Sequence, residues 1–253
     1  MNKIIAVLNQ KGGVGKTTTV INCAAYLAKQ GHSVLIVDLD PQGNATSGVG
    51  IDKQTLDSTV YDILFETITT TSLIKDTSIA GLHILPTNSQ LAAAEVDLAG
   101  EKHREYRLKK ALQGLEYDFI FIDCPPSLGL LSLNALTAAD LVLVPVQAEY
   151  YALEGLGQLL DVVGRVRQGL NDRLELLGIV ITMYDSRTSL SDQVVQEVKK
   201  HFGAKLLNTI IPRNVRLAEA PSFGKSIVEH DKWSKGARSY KSLAKEVEQR
   251  VKQ

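Results

Sequence analysis

The residues best equipped for chemistry form one run near the start of the chain, Gln10-Lys11-Gly12-Gly13-Val14-Gly15-Lys16-Thr17, with Thr18 just beyond. An apolar stretch of strand character precedes it and a segment of helical period follows. Glycines in such a turn let successive backbone N–H groups converge on phosphate oxygens, and the new helix adds its positive N-terminal dipole. In the pattern GxxxxGK[ST], Lys16 would reach the β- and γ-phosphates of a nucleotide and the Thr17 hydroxyl would ligate Mg²⁺. An ordinary glycine turn that happens to end in lysine would lack the strand before and the helix after. The run departs from the usual pattern at Gln10, where glycine is expected, and it adds a second cation at Lys11.

Carboxylates stand at the ends of two other apolar runs. Val34–Val37 is followed by Asp38-Leu39-Asp40-Pro41-Gln42-Gly43-Asn44, and Phe119–Ile122 by Asp123-Cys124-Pro125-Pro126. An acid at the end of a buried strand beside a phosphate loop can hold Mg²⁺ through water, the role expected of Asp123. Asp38 and Asp40 fall close to the expected γ-phosphate, although aspartates before a proline are also common turn formers. Cys124 reads as a small buried hydrophobe, because no neighbouring base or cation marks it as a nucleophile.

Something must hold these groups together. Ile4–Leu8, Val34–Val37, Leu82–Leu85, Phe119–Ile122, Leu141–Val146 and Leu176–Ile181 read as strands. Lys16–Lys29, Tyr151–Arg167, Asp192–Phe202 and Lys235–Val251 carry apolar residues at helical spacing, as in Leu153, Leu156, Leu160 and Val163. Alternation of this kind predicts an α/β fold, and runs such as FIFI and LVLVPV predict strands buried on both faces of a mostly parallel, twisted sheet with helices on both sides. The polar stretch Gln42–Thr59 reads as a functional loop at a strand's carboxyl end. No repeat, low-complexity tract or flexible linker divides the chain, so residues 1–253 read as one domain.

Lys plus Arg and Asp plus Glu both number 28, so any affinity for nucleic acid must be local. Cys23 and Cys124 match no metal or redox spacing, which fits a reducing cytosol. The opening residues predict no targeting segment and no DNA-reading domain ahead of the phosphate loop, and no stretch approaches the length of a membrane span.

The motif KGGVGKT resembles the deviant Walker A loop of the ParA/MinD group, and KGGVGKTTT, VDLDPQGNATSG, FIDCPPSLG, PVQAEYYALEGL and IPRNVRLAEAPSFGK together resemble the ParA/Soj partition ATPases over nearly the whole chain. The resemblance implies a P-loop NTPase fold and an ATPase that closes into an ATP-dependent homodimer. It further implies nonspecific binding to double-stranded DNA by that dimer and hydrolysis stimulated by a ParB-like partner. By the same resemblance, Lys11 crosses to the partner's phosphates, Asp40 positions the attacking water, Asp38 supports the Mg²⁺ shell, and Cys124 to Gly129 act as a switch. Pro212 and Asn214 fall in the adenine-contacting loop, and Arg187 and Arg216 in the DNA face. Lys199, Lys200, Lys225 and Arg238 could extend that face. The implied location is cytoplasmic and nucleoid-associated.

Three rivals share the loop. A MinD-like membrane switch needs a tail helix suited to lipid, whereas Tyr240, Leu243, Ala244, Val247 and Val251 form a modest stripe better suited to packing on the domain. An iron–sulfur reductase needs cysteines near the dimer axis, and Cys23 falls inside the helix after the phosphate loop. An ATP-dependent ligase needs a second substrate pocket that the sequence does not reveal. Tyr150 and Tyr151 could stack on bases, but tyrosines at a helix start more often pack on a sheet edge.

Overall fold

The computed structural model describes residues 2–149 and 152–252, so Tyr150 and Tyr151 lie outside the described residues. Among the described residues seven strands form one sheet: β1 (Lys3–Val7), β2 (Val34–Asp38), β3 (Lys75–Asp76), β4 (Leu82–Leu85), β5 (Phe119–Asp123), β6 (Leu141–Gln147) and β7 (Glu175–Thr182). Their order is β3-β4-β2-β5-β1-β6-β7, and every pairing is parallel except that of the short edge strand β3 with β4. Around the sheet lie α1 (Lys16–Lys29), α2 (Asn44–Gly48), α3 (Val60–Leu64), α4 (Thr70–Leu73), α5 (Ala94–Asp97) and α6 (Arg107–Leu112). Then come α7 (Leu130–Ala138), α8 (Ala152–Gly169), α9 (Ser189–Phe202), α10 (Val215–Glu219), α11 (Ile227–His230) and α12 (Lys235–Val251).

The central strands carry apolar side chains on both faces, as the continuous runs predict. Ala6, Leu8, Leu35, Val37, Ile120 and Ile122 face a core roofed by α3, α6, α7, α8 and α9. Ile5, Val7, Val34, Ile36, Phe119 and Phe121 face a second core closed by α1 and α12. The apolar stripe of α12 belongs to this second core: Tyr240, Leu243, Ala244, Val247 and Val251 are all buried. Among the described residues no helix is long and apolar enough to cross a membrane.

The expected segments are present, with boundaries moved for physical reasons. β2 and β5 each run one residue past their apolar runs, because backbone pairing continues through the register pair Asp38 and Asp123 whatever the side chains. Gln42–Thr59 is not all loop. It contains α2, and Ala45 and Thr46 there are fully buried. α7 escaped the periodicity argument because residues all round it are buried, so it lacks the polar face that reveals a surface helix.

Leu243 is fully buried between α12 and the sheet. Leu243→Ala is expected to cost about 2–5 kcal/mol of stability, read as a lower urea midpoint at unchanged m-value.

Candidate active site

β1 lies at the point where strand order turns, with β5 and β2 on one side and β6 and β7 on the other. Crevices at the carboxyl ends of strands around such a point are where open α/β sheets bind ligands. The glycine loop leaves β1 here. Gly13 and Gly15 hold φ of +75° and +88°, the left-handed region that favours glycine. α1 then begins at Lys16, whose Nζ donates to the Lys11 carbonyl at 3.3 Å. Lys16 is only 7% exposed. Burial pulls its pKa down, and the nearby charge of Asp123 is the strongest influence holding it up.

Thr182, the last residue of β7, donates from Oγ1 to the Val14 carbonyl at 2.8 Å and so pins the loop to the sheet. Sequence reasoning missed this residue. A polar side chain ending an apolar strand was the only available signal.

Asp38 and Asp123 are register partners at the ends of adjacent strands, and both are fully buried. Asp38 Oδ2 accepts from the Thr46 amide and hydroxyl, each at 2.7 Å. Its partners therefore come from α2, and that oxygen is already committed. Burial, opposed by the Thr46 hydrogen bonds, pushes the Asp38 carboxyl up to about 7. Asp123 is pushed well above the usual carboxylate range, first by burial and then by Asp38, while the neighbouring Thr17 side chain holds it down in part. Among the described residues neither oxygen of Asp123 makes a hydrogen bond of ordinary geometry.

That orphaned carboxylate fits a metal. Mg²⁺ takes one or two protein oxygens and completes its octahedron with water and phosphate. Thr17 and Asp123 supply such a set. Among the described residues no cluster of three or more His, Cys, Asp or Glu forms an all-protein metal site. Asp40 is 8% exposed, and its Oδ1 accepts from the Gln42 amide at 2.9 Å, an Asx turn that fixes the carboxylate beside Asp38.

A cavity of about 240 Å³ opens beside the loop, lined by Gly15, Thr18, Met183, Pro212, Asn214 and Tyr240 among others. The segments on its rim are stitched together: Tyr184 N donates to the Ile211 carbonyl and Arg213 N to the Tyr184 carbonyl. Met183 adopts φ +51°, a strained conformation for a residue other than glycine, at the cavity wall. Pro212 and Asn214 thus reach the same cavity, although Asn214 Oδ1 also caps α10 through Leu217 N.

Lys11 points elsewhere. Its Nζ pairs with Glu149 of the same chain, with both side chains about half exposed. Arg187 makes a two-pronged pair with Asp185, at 2.9 and 2.6 Å, and Arg216 pairs with Glu219 at 2.9 Å. Both arginines are largely exposed and stand on the two stitched segments, so the fold brings them to one end of the molecule. Lys199, Lys200, Lys225 and Arg238 are exposed as well. Cys23 and Cys124 are buried in different cores, which keeps them from sharing a cluster, and burial raises both thiols.

Residues 2–176 match the family model described as AAA domain. The chain is 56% identical over 249 residues to the sporulation initiation inhibitor protein Soj of Bacillus subtilis, covering 98% of each. It is 54% identical over 249 residues to the chromosome-partitioning ATPase Soj of Thermus thermophilus, covering 98% of this chain and 96% of that one. The chain belongs to the ParA/Soj family. A solved structure from Mycobacterium smegmatis, described as cobyrinic acid a,c-diamide synthase with bound ADP and magnesium, superposes with a TM-score of 0.89 at 41% identity. The match covers 100% of this chain and 96% of that one. The sheet and its helices are those of a P-loop NTPase, as the family resemblance implied.

The raised carboxyls carry a stability consequence. An acid whose pKa is higher folded than unfolded takes up a proton on folding, so stability falls as pH rises from the unfolded value near 3.8 through the folded value of about 7 for Asp38. Removing one charge relieves the pair. Asp123→Asn is expected to stabilise the nucleotide-free protein at pH 7.5 by on the order of 2 kcal/mol, roughly 4–8 °C in Tm, with the gain vanishing near pH 4. Equal melting temperatures at pH 7.5 would remove the strain from the account.

Proposed function

We propose that residues 1–253 form a single ATPase domain that works in chromosome or plasmid segregation, binding DNA as an ATP-dependent homodimer and leaving it after hydrolysis. One observation carries the nucleotide chemistry: a fully buried Asp123 whose two oxygens make no hydrogen bond of ordinary geometry among the described residues, beside Thr17 and Lys16 at the mouth of a glycine loop. The partition role rests on the two Soj relatives, which share more than half their residues with this chain over nearly its full length.

The loop amides of Gly12, Gly13, Val14 and Gly15 cradle the phosphates, and Thr18 and the Pro212–Asn214 segment hold the base and sugar side. Lys16 stabilises the β- and γ-phosphates. Thr17 and Asp123 would hold Mg²⁺, which would supply positive charge against the phosphates. Asp38 braces that shell through Thr46. Asp40 orients the attacking water. Lys11 leaves Glu149 to reach the partner subunit's nucleotide, where a cation supplied in trans stabilises charge on the transferring group. Since each site then needs a lysine from the other subunit, dimerisation and catalysis are coupled. A ParB-like protein completes the arrangement, so turnover is slow alone. The working location is the cytoplasm, on the nucleoid.

Arg187 and Arg216 neutralise DNA phosphates, doubled by dimer symmetry, which suffices for nonspecific binding at zero net charge. The membrane alternative is disfavoured because the apolar stripe of α12 is consumed by the core. The amide-forming reaction named for the mycobacterial structural relative is outweighed by the higher identity to the Soj proteins.

Asp40→Ala is expected to keep ATP affinity within about threefold and lower kcat by about 10²-fold or more, measured by phosphate release with DNA present. Undiminished turnover would take Asp40 out of the mechanism. Arg216→Glu is expected to leave the nucleotide-bound dimer intact while reducing DNA affinity and flattening its salt dependence by about two counterions, read by fluorescence anisotropy at several salt concentrations. Unaltered binding would move the DNA face elsewhere.

A further inference from the structure

One segment, part buried and part exposed, touches both loops that carry the acidic groups. At its start, just after β4, the Thr87 amide donates to Thr46 Oγ1 at 3.0 Å, and that hydroxyl in turn donates to Asp38 Oδ2 at 2.7 Å. Thr46 and Thr87 are both fully buried. At its far end, in α5, Glu95 accepts from the Leu130 amide at 2.7 Å and the Leu131 amide at 3.3 Å. These amides open α7, which begins where the loop from Asp123 through Gly129 ends. Ser132 Oγ closes the connection by donating to the Ser127 carbonyl inside that loop.

The stretch between these anchors is stiff. Asn88 caps its first turn through Gln90 N, and Leu91 and Ala94 are fully buried in the core beneath α7, as is Leu98 one turn past Glu95.

The way α7 is capped distinguishes this contact from routine helix capping. A helix N-terminus is ordinarily satisfied by Ser, Thr, Asp or Asn at the capping position itself. Here that position is Gly129, which makes no side-chain cap, and the carboxylate arrives from a residue 35 positions away. A Cβ at Gly129 would lie 2.4–2.7 Å from the Glu95 carboxylate, so a larger residue there would push that carboxylate off the two amides. Sequence-local capping has been exchanged for one that ties two distant segments together.

We propose that residues 87–95 are a rigid coupler between the loop after β2 and the loop after β5, and that Glu95 is a positioning residue for hydrolysis. Held at both ends, the segment makes a displacement of the Asp123–Gly129 loop felt at Thr46, and through Thr46 at Asp38 and the adjoining Asp40. The function of the coupler rests on reading these loops as the phosphate-facing ones, but its mechanical linkage does not depend on DNA binding or partition.

The test is hydrogen–deuterium exchange on the full nucleotide-free chain, joined to steady-state kinetics. Glu95→Ala is expected to speed exchange about tenfold at Leu130 and Leu131 and also at Thr46 and Thr87. Glu95→Gln, whose amide oxygen still accepts a hydrogen bond, is expected to restore most of the protection. The kinetic arm expects Glu95→Ala to lower kcat about five- to tenfold with KM for ATP within about twofold. Gly129→Ala is expected to impair the wild-type chain and to be tolerated in the Glu95→Ala background. Faster exchange confined to residues 129–133, or a Gly129→Ala effect of equal size in both backgrounds, would overturn the coupler even if the ATPase reading stands. Loss of ATP binding by the wild-type chain would instead sink that reading and leave the exchange result interpretable.

Discussion

The arrangement turns on a carboxylate that the protein does not satisfy by itself. Asp123 is fully buried, faces Asp38 across one strand pairing, and among the described residues keeps both oxygens without hydrogen bonds of ordinary geometry. Neighbouring strands lie about 4.8 Å apart, so two ionised acids at this register repel strongly in a medium that screens them poorly. Lys16 offers a compensating charge, yet it is itself buried and its ammonium is destabilised. A bound cation with an attached polyphosphate would resolve all three difficulties together, which is why the site is proposed to receive a metal-nucleotide complex.

Sheet order puts that deficit where it can be used. β1 delivers the glycine loop, β2 and β5 deliver the acids, and β7 delivers Thr182 to brace the loop from the other side. Beyond β7, the stitched segments around Met183 and Pro212 wall the cavity and also carry Arg187 and Arg216. The residues proposed to seat the base and those proposed to face DNA therefore share a scaffold, through which the proposed function would couple them. In the isolated chain Lys11, Arg187 and Arg216 are each neutralised by an acid of the same subunit. Exposed pairs of this kind contribute little in screening solvent, so a partner subunit or a duplex can displace them.

What could be read from the residues alone divides along a physical line. Strands buried on both faces announce themselves as unbroken apolar runs, and the phosphate loop announces itself because glycine, lysine and threonine are needed in a fixed local order. Asp38, Asp40 and Asp123 followed from ending such runs. Thr182 and Glu95 could not be found this way, since their partners are far away in sequence and are brought near only by the fold, and Thr46, eight residues from Asp38, lies in a short helix within a stretch that reads as loop. α7 was missed for a related reason: burial all round erased its periodicity. Lys11 was legible as an extra cation, but its pairing with Glu149 is a tertiary fact.

Sedimentation velocity of the full chain with a non-hydrolysable ATP analogue, with and without Mg²⁺, tests the central claim most directly. If the metal-nucleotide complex fills the deficit at Asp123 and joins two subunits through Lys11, a species of twice the monomer mass forms only when analogue and Mg²⁺ are both present. A single unchanged boundary under every condition would contradict it.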